Sequence, residues 1–121
     1  MEKPHKKLEA WKQAIDLAIG VYRATAVFPK EELYGMTNQA RRAVVSISSN
    51  IAEGAARQTK RELLNFLHIA QGSLSELDTQ LELARRLGYL SDSSWRDLDT
   101  RMLPIDKMLT GLIRHVGQNK K

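Results

Sequence analysis

Two carboxylates, Glu53 and Glu76, stand beside apolar runs. If their segments met across a seam they could form an acid/base pair, because burial and a neighbouring carboxylate both raise a carboxyl pKa. The plainer outcome uses the same residues. Asn50 lies three positions before Glu53 and Ser73 three before Glu76, so Asn50, Glu53, Ser73 and Glu76 can form a hydrogen-bonded network that fixes the register of two helices, with Arg41 or Arg42 as further donors. Other chemistry has little to build on. Ser46, Ser48 and Ser49 share a helical run with no nearby base, and three histidines fall in distant segments. The Glu-x-x-His spacing used by dimetal bundles occurs only from Glu2 to His5, across Pro4. His68, between Leu67 and Ile69, reads as a helix-surface residue. There is no cysteine for a disulfide, thiolate ligand or nucleophile, and no Walker-type or Gly-x-Ser-x-Gly loop. The expectation is a non-enzymatic protein with no metal and no cofactor.

The basic residues offer more. Arg41 and Arg42 open one helical segment, Arg57, Lys60 and Arg61 flank the turn after it, and Arg85 and Arg86 close the next. An antiparallel hairpin would put Arg57, Lys60 and Arg61 at one end and Arg41 and Arg42 at the other, near Arg85 and Arg86. Two clusters about 20 to 30 Å apart could follow a phosphate backbone. The alternative is solvated charge with intrahelical pairs such as Glu82 to Arg86. The net charge of +5 is compatible with a polyanion, although Lys3, Lys6, Lys7, Lys120 and Lys121 read as solubilising tails. No aromatic platform for stacking bases accompanies the arginines.

At 121 residues the chain fits one domain. No stretch approaches the roughly 18 apolar residues of a membrane span, and the amino terminus lacks the apolar run of a signal peptide. A soluble, cytoplasmic protein is expected. Four segments carry apolar residues in alternating steps of four and three, the seam of shallow-angle helix packing. They are Leu8, Trp11, Ile15, Ala18 and Tyr22; Ala40, Val44, Ile47, Ile51 and Gly54; Leu63 through Ala84; and Leu98 through Val116. Phe28-Pro29 ends the first. Thr37 or Asn38 is the expected cap of the second, Thr59 with Glu62 forms a capping box for the third, Gly88 follows its end, and Ser91 or Ser93 caps the fourth. The spacing predicts helices over roughly 6–27, 37–56, 60–88 and 92–116. Pro104 should remove one hydrogen bond and bend the last helix.

The second helix is apolar or small on more than its core face. Arg41, Val45, Ser48 and Ala52 form a further stripe where a water-facing helix would carry Lys and Glu, so Val45, Ser48 and Ala52 are assigned to an interface between copies of the chain.

The runs beginning at Leu8, Phe28 and Ile69 contain Phe-Pro, Tyr-Gly-x-Thr, Arg-Arg-Ala, Ser-Ser-Asn-Ile-Ala-Glu-Gly and Gly-Ser-x-x-Glu-Leu in order. In this the chain closely resembles the bacterial four-helix bundle proteins of the 23S rRNA intervening-sequence family, on motif positions Tyr34, Gly35, Thr37, Arg41, Arg42, Asn50, Glu53, Gly54, Gly72, Ser73 and Glu76. The resemblance implies an all-α, antiparallel up-and-down four-helix bundle assembled as a ring-shaped homo-oligomer, a pentamer, whose role is poorly defined. Related accessory variability determinant proteins of diversity-generating retroelements associate with a reverse transcriptase and nucleic acid. Pro104 looks like a departure from the family pattern. The expected function is binding of structured RNA or DNA through Arg41, Arg42, Arg57, Lys60 and Arg61, more by shape than by base edges. The alternative is a protein-interaction scaffold that recruits a partner enzyme such as a reverse transcriptase.

Overall fold

A computed structural model describes residues 3–118 of the chain. Glu2, Lys120 and Lys121, and with them the Glu2 to His5 spacing, lie outside these described residues. The order is a short 3-10 turn over Pro4–Lys7, α1 over Glu9–Thr25, a second 3-10 turn over Lys30–Glu32, α2 over Met36–Ala55, α3 over Lys60–Arg86 and α4 over Asp92–Gln118. No strand occurs among the described residues. Each long helix packs against two others, α1 with α2 and α4, and α3 with α2 and α4, so their axes occupy the corners of a square. Cross-helix bonds from Arg41 to Thr25, Ser46 to Ser73 and Gln71 to Thr110 join residues whose positions along the chain run oppositely, which makes consecutive helices antiparallel.

The core is continuous from one end of the square to the other. The stripes expected on α2 and α4, and α3 from Leu67 onward, face inward: Val44, Ile47, Ile51, Leu77, Leu81, Ile105 and Leu109 are fully buried. Truncating such a residue to alanine costs about 2–5 kcal/mol when the surroundings do not collapse. On α1 the expected stripe is displaced by one position. Ala10, Ala14, Leu17, Val21 and Thr25 are buried, whereas Trp11, Ile15 and Ala18 are half-buried and Tyr22 is 44% exposed. The small Ala10 and Ala14 let α1 approach its neighbours closely. Thr25 is tolerated in the core because its hydroxyl donates to the Val21 carbonyl at 2.7 Å and accepts from Arg41 Nε at 2.9 Å.

The helix ends follow local chemistry. Thr59 Oγ1 accepts from the Glu62 amide, and the same hydroxyl donates to the Glu62 carboxylate. After α3, Gly88 adopts φ +82°, its amide bonds the Arg85 carbonyl and that of Tyr89 reaches Ala84, the paired bonds of a Schellman ending. Ser91 Oγ accepts from the Ser94 amide at the start of α4. The expected cap of α2 is corrected. Gly35 occupies that position and Thr37 is buried, while the Glu32 carboxylate, delivered by the preceding 3-10 turn, accepts from the Met36 amide at 3.1 Å. Helix α4 is unbroken through Pro104, which lies on the exposed side together with Thr100, whose carbonyl loses the amide partner.

Candidate nucleic-acid interface

The two basic groups expected from sequence lie at opposite ends of the bundle and differ in character. Near the start of α2, Arg41 is committed internally. Its Nε donates to Thr25 Oγ1, its Nη2 donates to the Tyr22 carbonyl at 3.2 Å, and its guanidinium lies 4.6 Å from the Tyr22 ring centre. The second of these bonds serves a carbonyl in the last turn of α1, where backbone acceptors lack helical donors. Arg42, one residue on, is exposed and makes no hydrogen bond or ion pair among the described residues. Arg85 and Arg86 both bond Glu82 at 2.7 Å, and Arg85 also meets Asp92 and lies 4.5 Å over the Trp95 ring. The Glu82 carboxyl is held below its ordinary pKa by the hydrogen bonds from Arg85 and Arg86. This end is therefore mixed in charge, with Glu31 and Glu32 beside it.

The opposite end collects cations. Arg57 pairs with Glu53 at 2.6 Å and lies 5.0 Å over the Phe66 ring, while Lys60 and Arg61 are exposed in the first turn of α3. Arg61 has no ion pair among the described residues. The amino-terminal 3-10 turn packs on α2 as well as on α1, and the His5 ring meets Trp11 edge-on at 4.9 Å. That docking brings the exposed Lys3, Lys6 and Lys7 to the basic end, and the last turns of α4 add exposed Arg114. Read from the sequence as a solubilising tail, these lysines belong to the same surface as Arg57, Lys60 and Arg61. Pro4 at the start of the turn and the aromatic partner for His5 were the available signals. The nearby carboxylates are already engaged: Glu53 by Arg57, Glu62 by the capping box and Glu9 by Gln13.

The polar network forms with different members. The Ser46 and Ser73 hydroxyls lie 2.8 Å apart across the α2–α3 seam, and Asn50 Nδ2 donates to both the carbonyl and the hydroxyl of Ser46. Glu53 and Glu76 are not part of it. Glu53 turns to Arg57, and Glu76 accepts from Gln80 on its own helix, so these carboxylates do not build a shared acid/base site. Among the described residues no group of His, Asp and Glu side chains is placed to hold a metal ion. A groove of about 700 Å³ between α1 and α4, walled by Ile19, Val27 and Leu98, has Arg23 and an Arg101–Asp97 ion pair at its rim. Of the assigned interface residues, Val45 is 41% exposed and Ala52 half-buried, whereas Ser48 is buried within its own chain and donates to the Val45 carbonyl. The outward stripe of α2 is instead Arg42, Val45, Ser49 and Ala52.

Fold and surface define an antiparallel four-helix bundle with one electropositive end. No helix among the described residues is long and apolar enough to cross a membrane. Residues 6–111 match the model of the 23S rRNA-intervening sequence proteins, and the chain belongs to that family. It is also similar to a crystal structure of a protein of unknown function, from the S23 ribosomal protein family, of Bacteroides thetaiotaomicron VPI-5482. That likeness has 23% identity and a TM-score of 0.77, over 86% of this chain and 97% of the other, and it establishes the shared fold. Among curated proteins, none matches significantly.

Proposed function

We propose that this chain is a non-catalytic, self-associating protein whose assembly binds structured RNA or DNA through phosphate contacts at the basic end of the bundle. The observation that carries this reading is the docking of the Pro4–Lys7 turn on α2, which adds Lys3, Lys6 and Lys7 to Arg57, Lys60 and Arg61 where the local carboxylates are already partnered. Cations spread over a helical end, where the half-buried rings of Trp11 and Phe66 already pack against His5 and Arg57, suit the regular phosphates of a duplex better than single-strand bases. Arg41 serves the α1–α2 contact in this reading. A ring of five copies, as the family resemblance implies, would multiply a modest single-copy affinity by presenting several basic ends to one duplex.

The test is fluorescence anisotropy with labelled duplex DNA, single-stranded DNA and a structured RNA across a salt series. Duplex or structured probes should bind at low salt and be released steeply as salt rises. Changing Lys6, Lys7, Arg57 and Arg61 together to Ala should flatten that salt dependence, because each lost phosphate contact removes about 0.7 to 0.9 from the slope. Absence of binding at low salt would reject the nucleic-acid reading and leave the scaffold that recruits a partner enzyme.

A further inference from the structure

The α1–α2 and α3–α4 pairs occupy opposite sides of the square, and their outer surfaces are chemically complementary. On the first side, Arg42, Val45, Ser49 and Ala52 form a narrow ridge with small residues after its single cation, and the cation has no anionic partner. On the other, α3 and α4 enclose a groove of about 490 Å³ with Leu74 and Met102 at its floor and Leu103, 55% exposed, on its edge. Asp78, Asp99 and Asp106 line this groove without an ion pair among the described residues, in a chain with an overall excess of cations. Asp78 is held above its ordinary pKa by desolvation first, then by the neighbouring charges of Asp99 and Glu82.

The heights also correspond. Helices α2 and α4 both start at the mixed end, where the Tyr89 hydroxyl donates to Glu32 at 3.1 Å and links the two connections. At a rise of about 1.5 Å per residue, Arg42 lies about 9 Å into α2 and Asp99 about 10 Å into α4, with Val45 about 14 Å and Leu103 about 16 Å along. Two copies standing side by side in the same direction would thus bring Arg42 to Asp78 and Asp99 and lay Val45 against Leu103. A pair turned end for end would lose this match.

We infer that the groove between α3 and α4 receives the Arg42–Ala52 ridge of a second copy, in a head-to-tail contact between parallel bundles. This rests on the self-association proposed above and names the two surfaces involved. The contact uses two different patches, so each copy retains a free ridge or groove until a ring closes. In a closed ring all basic ends face the same side.

The chain has no cysteine, so introduced thiols report the contact directly. Val45→Cys and Leu103→Cys variants, mixed under mild oxidation, should give disulfide-linked dimers containing one of each, while either variant alone stays largely uncrosslinked. In parallel, Asp78→Lys with Asp99→Lys should reduce the assembly to monomers by light scattering, and adding Arg42→Glu to the same chain should restore its mass. Circular dichroism on each variant checks that the bundle is retained. If the wild-type chain assembles but its mass is unmoved by the groove substitutions and no mixed dimer forms, this contact is wrong while self-association stands. A monomeric wild-type chain at high concentration would reject both.

Discussion

The hydroxyls of Ser46 on α2 and Ser73 on α3 face each other at 2.8 Å, a direct side-chain hydrogen bond across the seam between the two central helices. Ser73 is buried, and Asn50 holds Ser46 in place from one turn further along α2. Replacing Ser46 by Ala leaves the buried Ser73 hydroxyl without this partner, whereas after Ser73→Ala the Ser46 oxygen keeps its bond from Asn50, at a cost of about 1 kcal/mol for either change. The double substitution should cost less than the sum of the singles, by about 0.5–1.5 kcal/mol in a double-mutant cycle of urea denaturation. Strict additivity would show that the bond contributes nothing to stability.

Two glycines separate packing from propensity. A Cβ at Gly54 would stand 3.0 Å from Phe66 Cβ, 3.1 Å from Leu63 Cδ1 and 3.4 Å from the Leu63 carbonyl, whereas at Gly72 it would meet nothing within 4 Å. Alanine improves helix propensity by about 1 kcal/mol at both positions, but overpacking costs about 1–3 kcal/mol. Gly54→Ala should therefore lower Tm, and Gly72→Ala should raise it. A rise for both would mean that α2 and α3 can separate at Gly54 at little cost.

The carboxyls of Asp78 and Glu82 are displaced in opposite directions, Asp78 upward by desolvation and by its acidic neighbours and Glu82 downward by Arg85 and Arg86. A raised folded pKa means that ionised Asp78 subtracts from stability at neutral pH and that the loss disappears as pH falls below the unfolded carboxylate range. In the dilute, unassociated chain, Asp78→Asn should raise Tm at pH 7, by an amount on the order of 1 °C after solvent screening, and converge on the wild type at low pH. Glu82 has the other sign. Its contribution is present above the unfolded value and is lost as pH falls through the depressed folded value, so Glu82→Gln should lower Tm at pH 7 and cease to matter in acid. A Tm difference independent of pH for both variants would refute this assignment.

Much of the fold was legible in the residues. Val44, Ile47 and Ile51 on α2, Leu67, Leu74, Leu77 and Leu81 on α3, and Leu98, Ile105 and Leu109 on α4 stand on the buried face, and Thr59, Gly88 and Ser91 end or begin helices as their side-chain and backbone chemistry dictates. Helix α1 was harder because two adjacent stripes are apolar. The bulkier one, with Trp11, Ile15 and Tyr22, looked like the core, but the close-packed centre takes Ala10 and Ala14, and polar Thr25 enters it with its hydroxyl satisfied by the Val21 carbonyl and by Arg41 from α2. The cap of α2 depends on Glu32 from a separate turn, a relation that no local capping pattern encodes. In the candidate site, the expected separation of the basic groups holds. The internal role of Arg41 and the recruitment of Lys3, Lys6 and Lys7 depend on the docking of other segments, which spacing along α2 alone does not contain.

The mixed end is stitched by bonds between residues distant in sequence, Arg41 to Thr25 and Tyr89 to Glu32, with the Phe28 and Tyr89 rings 5.8 Å apart beneath them. The hydrogen bonds described at the basic end, Arg57 to Glu53 and Thr59 with Glu62, span only three or four residues. Stitching of the first kind, between distant segments, should make amide hydrogen exchange slow through the turn between α3 and α4. A polyanion seated on the basic end would act as an external clamp across the α2–α3 turn and the docked Pro4–Lys7 turn, slowing exchange there and adding its binding free energy to the bundle's resistance to unfolding.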